Sequence, residues 1–207
     1  MDRLPALSIA SLALAVCVPL LAGCGRGAEK PGLARTEGVM ASGQAPAPER
    51  WCDAFYAGSD APPLALPKVV PARPGEQLPL LPTDRWVWVN LWATWCGPCR
   101  REMPLLLRWH EQLVKEGVAV DLCFVSVDER EQDLESFLKE NPAMAPGNSV
   151  RLASPSGLEH WLTGFRGAPT GTIPLQIIAA PGGRVRCIRA GSLRDGDFPV
   201  VKALFLR

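Results

Sequence analysis

This sequence has few histidine and tyrosine residues and almost no net charge. Its 207 residues include two histidines and one tyrosine, and the formal net charge is +1. Such a balanced charge creates no strong field, so we expect no nucleic-acid partner. The histidines, His110 and His160, lack the spacing of metal ligands, and the chain has a single Cys-x-x-Cys. We therefore expect no zinc site and no other cofactor.

The overall composition is that of a folded protein. Hydrophobic residues make up 47% of the chain and charged residues 21%, which excludes a wholly disordered protein. The length fits one domain with some additional chain, and no internal repeat is present. Seven cysteines are too few for a small disulfide-rich scaffold, so their positions decide their roles.

The N-terminal segment has the features of a targeting sequence. Residues 4–23 carry no charge, and they end in Leu21, Ala22 and Gly23 followed by Cys24. This ending resembles the lipobox of bacterial lipoprotein signal peptides, which implies a signal peptide over 1–23 and lipidation of Cys24. The alternative is an uncleaved membrane anchor. Both predict that the rest of the chain is extracytoplasmic and membrane-attached, where disulfides persist.

The remaining sequence predicts a tether and one mixed α/β domain. Residues 24–49 are rich in Gly, Ala and Pro, which indicates a flexible tether, and the domain covers 50–207. Hydrophobic patterns and turn residues predict strands over 69–70, 78–81, 86–92, 118–127, 175–179 and 184–190. They predict helices over 102–116, 131–140, 158–163 and 199–206.

The candidate reactive cysteines lie where a predicted buried strand is followed by a helix. Cys96 and Cys99 flank Gly97 and Pro98 directly after the strand over 86–92. A helix N-terminus stabilises a thiolate, so Cys96 is the predicted nucleophile, and Cys99 lies close enough to form a disulfide with it. Half of a zinc site and a purely structural disulfide are the alternatives.

Residues 89–104, Val-Asn-Leu-Trp-Ala-Thr-Trp-Cys-Gly-Pro-Cys-Arg-Arg-Glu-Met-Pro, resemble the active-site segment of the thioredoxin superfamily. Within it they are most similar to membrane-tethered thiol–disulfide oxidoreductases of the TlpA/ResA/DsbE type. The resemblance covers most of the chain from about residue 61 onward and weakens between 129 and 167. It implies a three-layer α/β/α sandwich with a mixed central sheet and a cis-proline loop.

The resemblance also implies a substrate-binding loop. Its cis-proline is either Pro169 or Pro174, and the distance to the turn over 181–183 favours Pro174. The backbone of Ile173 would then pair with an extended substrate chain, and Trp95 would border the substrate surface.

Glu102 is the third candidate catalytic residue. It follows Cys99 by three residues and so lies on the same helical face. Similar proteins carry a Glu here that is linked to the active-site thiols, which implies a proton-transfer role. The alternative is a solvated Glu in the first helical turn. Asn90 stands where cytosolic thioredoxins carry a buried Asp, and an Asn cannot titrate.

Cys52, Cys123 and Cys187 have no assigned chemistry. Cys123 and Cys187 fall in strand patterns and are most simply buried small hydrophobic residues, while Cys52 lies at the domain edge. One pair among the three could be bridged, and the sequence does not choose between pairs.

These features predict an extracytoplasmic thiol–disulfide oxidoreductase that acts on cysteine-containing proteins, with reduction favoured over oxidation. The resemblance implies a membrane thiol electron donor, and lipidation would anchor the protein to the membrane. The alternatives are an oxidase of the same fold, a copper-carrier lipoprotein and a thiol peroxidase.

Overall fold

The sheet at the centre of the protein is built from seven strands. The computed structural model describes residues 47–59, 61–144 and 149–206. The predicted signal peptide over 1–23, the lipidation site Cys24 and residues 24–46 of the predicted tether lie outside the described residues. Within the described ranges, no helix has the length and apolar character needed to cross a membrane.

The strands are β1 (Ala54–Phe55), β2 (Val69–Pro71), β3 (Trp86–Trp92), β4 (Val120–Ser126), β5 (Ser149–Leu152), β6 (Leu175–Ala180) and β7 (Arg184–Ala190). The helices are α1 (Pro48–Trp51), α2 (Gly97–Lys115), α3 (Glu131–Glu140), α4 (Leu158–Thr163) and α5 (Phe198–Phe205). Short 3-10 turns cover Pro142–Met144, Pro155–Gly157 and Asp195–Asp197.

The sheet is mixed, as predicted. Its strand order is β1-β7-β6-β3-β4-β5-β2. β3, β4 and β5 run parallel, whereas β6, β7, β1 and β2 join their neighbours antiparallel. Parallel neighbours need a crossover connection, which α2 supplies between β3 and β4, and α3 between β4 and β5. The helix α2 therefore begins near the C-terminal end of β3.

β3 is buried on both faces, as its nearly continuous apolar sequence predicts. On one face, the Trp88 ring lies 6.4 Å from the Trp109 ring of α2 and 5.7 Å from the Phe205 ring of α5. On the other face, Val89 and Leu91 are also fully buried. A strand held this tightly fixes the position of the loop that follows it.

The predicted strand over 78–81 is wrong. These residues form no strand, and Leu80 is 93% exposed. An apolar run forms a strand only where a neighbouring strand supplies hydrogen bonds, and β2 instead pairs with β5. The two short strands β1 and β5 were not predicted.

Candidate active site

Cys96 and Cys99 lie at the start of α2, where the sequence places them. Cys96 is the N-cap residue of α2, and its Sγ accepts a hydrogen bond from the backbone N–H of Cys99 at 3.2 Å. Pro98 lies in the first turn of the helix, where its missing N–H costs no hydrogen bond. The sulfur of Cys96 thus occupies the position at which a helix best stabilises negative charge.

The two cysteines are joined by a disulfide bond, with their Cα atoms 5.3 Å apart. Both are buried, and Cys99 is fully enclosed. Of the two residues, Cys96 is therefore the less enclosed, with 5% of its surface exposed. Arg100 and Arg101 follow in the sequence and are exposed, with the Arg100 guanidinium lying 5.9 Å from the centre of the Phe137 ring.

A buried aspartate holds the loop between β3 and α2. The carboxylate of Asp128 accepts hydrogen bonds from the Thr94 backbone N–H at 3.1 Å and from the Thr94 hydroxyl at 2.7 Å. Ser126 donates a further hydrogen bond to the same carboxylate at 2.7 Å. The end of β4 thus fixes the residue two positions before Cys96. The sequence analysis did not single out Asp128, although a charged residue closing an apolar strand is a usable signal.

Glu102 is not a solvated residue of the first helical turn but a buried one. Its side chain is 3% exposed, and its carboxylate accepts three hydrogen bonds. Asn90 Nδ2 donates to Oε1 at 2.9 Å, Gln176 Nε2 donates to Oε1 at 2.8 Å, and the Leu193 backbone N–H donates to Oε2 at 2.8 Å.

The environment of Glu102 brings its pKa close to neutrality. Burial penalises the charged form and raises the pKa from the usual 4.5 to about 7, while the hydrogen bonds from Leu193, Asn90 and Gln176 work against that rise. A carboxyl group with a pKa near neutrality can both take and release a proton at neutral pH. The alternative of a solvated Glu in the first helical turn is therefore wrong, and a catalytic role stays a prediction.

Gln176 and Trp88 complete this polar cluster and were missed by the sequence analysis. The indole N–H of Trp88 donates to Oε1 of Gln176 at 2.9 Å, and both side chains are fully buried. Gln176 is a single polar residue in the apolar strand β6, two positions after Pro174. That isolated polar residue is the signal that could have identified it, because a buried amide needs hydrogen-bond partners.

The predicted substrate surface includes Trp95, the residue directly before Cys96. The Ile173–Pro174 peptide bond is cis, in agreement with the choice of Pro174 over Pro169. Trp95 is 68% exposed. Trp95 and Ile173 line one groove together with Leu158 and the carboxylate residues Glu129 and Glu159. A groove lined by both apolar and acidic residues can hold a polypeptide segment, so the residue types fit the predicted role.

The other described cysteines divide into a pair and a free thiol. Cys52 and Cys187 form a disulfide bond that spans 135 residues of sequence. Cys187 is therefore bridged and is not simply a buried hydrophobic residue. Cys123 is free and buried in β4, and burial raises the pKa of its thiol to about 12. Within the part of the chain that the structure describes, no group of three or more His, Cys, Asp or Glu residues is placed to hold a metal.

The known proteins that resemble this chain are thioredoxin-like proteins and thiol–disulfide oxidoreductases. Residues 84–162 match the family model described as Thioredoxin-like. Thioredoxin-like protein YneN of Bacillus subtilis is 35% identical over 51 residues, which are 25% of this chain and 30% of the relative. Thiol-disulfide oxidoreductase ResA of Geobacillus thermodenitrificans is 26% identical over 111 residues, 54% of this chain and 58% of the relative. The chain thus spans less than two thirds of either relative.

A solved structure extends the comparison to the fold. The thioredoxin-related protein from Neisseria meningitidis serogroup B superposes with a TM-score of 0.50 at 24% sequence identity. The superposition covers 67% of this chain and 97% of the other. It supports the predicted α/β fold with a mixed sheet.

Proposed function

We propose that this chain, which carries a thioredoxin-like domain and has named thiol–disulfide oxidoreductases among its relatives, exchanges disulfides with cysteine-containing proteins through Cys96 and Cys99. One observation carries the proposal: Cys96 caps α2 while its sulfur accepts a hydrogen bond from the Cys99 N–H. A helix N-terminus and a direct N–H donor both lower the pKa of a thiol, and the thiolate is the nucleophile in disulfide exchange.

The reaction begins from the dithiol form of the protein. The Cys96 thiolate attacks one sulfur of a substrate disulfide, forming a mixed disulfide and releasing the other substrate sulfur as a thiolate. Cys99 then loses its proton and attacks the Cys96 sulfur. The bond between Cys96 and the substrate breaks, the substrate leaves fully reduced, and the protein is left with the Cys96–Cys99 disulfide.

Glu102 receives the proton that Cys99 must lose. It lies one turn after Cys99 on α2, and its pKa of about 7 suits a group that takes up a proton and later releases it. Trp95 and Ile173 would contact the substrate in the groove beside Cys96, with Pro174 holding the loop. The backbone of Ile173 would pair with an extended substrate segment.

The reducing direction requires a partner that regenerates the dithiol. We assign that role to a membrane thiol electron donor, in line with the resemblance of residues 89–104 to membrane-tethered oxidoreductases. An extracytoplasmic location and a lipid anchor at Cys24 belong to the same proposal. The relatives' names favour an oxidoreductase over the copper carrier. A reduction potential measured against glutathione would distinguish a reductant from an oxidase.

Reduction of insulin by the purified protein, with a dithiol as electron donor, tests the activity. Cys96→Ser should abolish reduction, because the attacking sulfur is gone. Cys99→Ser should retain the attack and lose the release, so that mixed disulfides with the substrate accumulate on Cys96. If Cys96→Ser instead accumulates substrate adducts on Cys99, and Cys99→Ser accumulates none on Cys96, the roles of the two cysteines are reversed.

A further inference from the structure

The buried cluster around Glu102 distinguishes its two carboxylate oxygens. Oε1 accepts two hydrogen bonds, from the side-chain amides of Asn90 and Gln176, whereas Oε2 accepts one, from the Leu193 N–H. A proton placed on Oε1 would compete with two N–H groups that can only donate in this arrangement. A proton on Oε2 leaves both amide hydrogen bonds intact.

The orientation of the Gln176 amide is fixed by chemistry. The indole N–H of Trp88 is a donor without acceptor capacity, and it lies 2.9 Å from Oε1 of Gln176. The amide oxygen must therefore face Trp88, which turns the amide nitrogen toward Glu102. Asn90 has no such anchor, because within the described residues its Oδ1 has no hydrogen-bond partner.

Glu102 also borders a groove open to solvent. The groove lies between α2 and residues 192–195, and the charged residues along it are Arg101, Arg108, Arg194 and Asp195. Arg108 and Asp195 pair with each other at 3.2 Å. Arg189 of β7 lies opposite Gln176 in the strand register and is paired with Asp53. One turn before Glu102 on α2, the Cys99 thiol is a further titratable group in the reduced protein.

We propose that Gln176 is a positioning residue for Glu102. Trp88 orients its amide, the amide holds Oε1 of Glu102 as a hydrogen-bond acceptor, and Oε2 becomes the oxygen that takes the proton from Cys99 and passes it to the groove. In this step the Cys99 S–H bond breaks and an O–H bond forms at Oε2, with no change in oxidation state. The inference rests on the proposed function, because it deepens the role assigned to Glu102.

The test is to follow the ionisation of Glu102 directly. The protein is labelled with ¹³C at the glutamate carboxyl carbons, and the Glu102 signal is assigned by its absence from Glu102→Gln. The titration uses the oxidised protein, because Cys96 and Cys99 do not ionise as a disulfide. Gln176→Leu removes a donor that stabilises the carboxylate, so the midpoint should rise by about one pH unit, a tenfold increase in proton affinity.

Two further variants keep the result interpretable. Trp88→Phe deletes the indole N–H while leaving an aromatic ring in place, and it should raise the midpoint in the same direction. If Gln176→Leu does not fold, Trp88→Phe alone tests the positioning role of Gln176. Cys123→Ala is the control: it is equally buried, but alternation along β4 places it on the opposite face of the sheet, and the midpoint should not change.

The outcomes separate this inference from the proposed function. An unchanged midpoint in both Gln176→Leu and Trp88→Phe would overturn the positioning role of Gln176, whatever the activity. Insulin reduction by Glu102→Gln at the wild-type rate across the pH range would remove Glu102 from the mechanism, and the inference with it. A raised midpoint in the two variants, together with a matching shift in the pH profile of insulin reduction, supports both.

Discussion

Replacing Glu102 by Gln should remove a pH dependence from the stability of the protein. In the folded state, burial raises the pKa of Glu102 to about 7, whereas in the unfolded chain the carboxyl ionises at its usual 4.5. The folded state therefore keeps a proton that the unfolded state has already released across this interval. The free energy of unfolding must fall as the pH rises from 4.5 to about 7 and stay constant above it.

The magnitude follows from the distance between the two pKa values. They lie about 2.5 pH units apart, and each unit corresponds to about 1.4 kcal/mol, so ionisation of Glu102 should cost the wild-type protein about 3.5 kcal/mol of stability over this interval. Glu102→Gln cannot ionise and should show no such loss. The variant carries a constant cost of about 1–3 kcal/mol, because its NH₂ group must face another donor, either Leu193 or the pair Asn90 and Gln176.

Urea unfolding of both oxidised proteins, at several pH values between 4 and 8, measures this effect. The difference between the two free energies cancels the titrations that the proteins share. The wild type should be the more stable protein at pH 4 and should lose that advantage by pH 8. Parallel curves over the whole range would refute the reasoning, because they would mean that Glu102 ionises alike in the folded and unfolded chains.

Three shorter predictions concern the other cysteines. The double variant Cys52→Ala, Cys187→Ala should lower the free energy of unfolding by about 2–5 kcal/mol while insulin reduction by the folded protein persists; loss of activity without loss of stability would contradict a structural role. Iodoacetamide should label Cys96 in the reduced native protein and leave Cys123 unmodified until unfolding, as peptide mass spectrometry can show, since burial raises the Cys123 pKa to about 12. Cys24→Ala should abolish fatty-acid labelling in cells and leave an unprocessed precursor, whereas normal labelling would exclude lipidation at Cys24.

The elements best predicted from the sequence were those with a strong pattern and clear ends. The bounds of β3, α3, α4 and β7 agree with prediction residue for residue. The apolar periodicity predicted only the part of α2 from Glu102 onward, whereas the Cys-x-x-Cys motif placed the start of the helix at the cysteines. The structure starts α2 at Gly97, since the N-cap contact between Cys96 and Cys99 organises a first turn that has no apolar pattern.

The site was predictable where it is local in sequence and not where it depends on neighbouring strands. Cys96, Cys99 and Trp95 lie within five consecutive residues, so one motif identifies them. Gln176 reaches Glu102 only because β6 pairs with β3 and sets Gln176 opposite Asn90. A sequence without known strand order contains no such information.

The pairing of Cys52 with Cys187 also depends on which strands are neighbours, and the sequence alone does not reveal this. β1 pairs with β7 in a register that sets Phe55 opposite Cys187, which brings the preceding Cys52 within bonding distance. Three cysteines in one sequence offer three pairs, and only the position of the short strand β1 selects among them. The sequence analysis did not predict β1, so this choice had to come from the structure.

The Cys52–Cys187 bridge also determines how mechanical load would pass through the protein. It closes a covalent ring that contains all of the chain between Cys52 and Cys187, with Cys96 and Cys99 inside it. A pull applied between residues before Cys52 and residues after Cys187 crosses from one sulfur to the other. The loop that carries Cys96 and Cys99 lies on the other arm of that ring. The covalent path between the chain ends therefore bypasses the cysteine pair for as long as the bridge is intact.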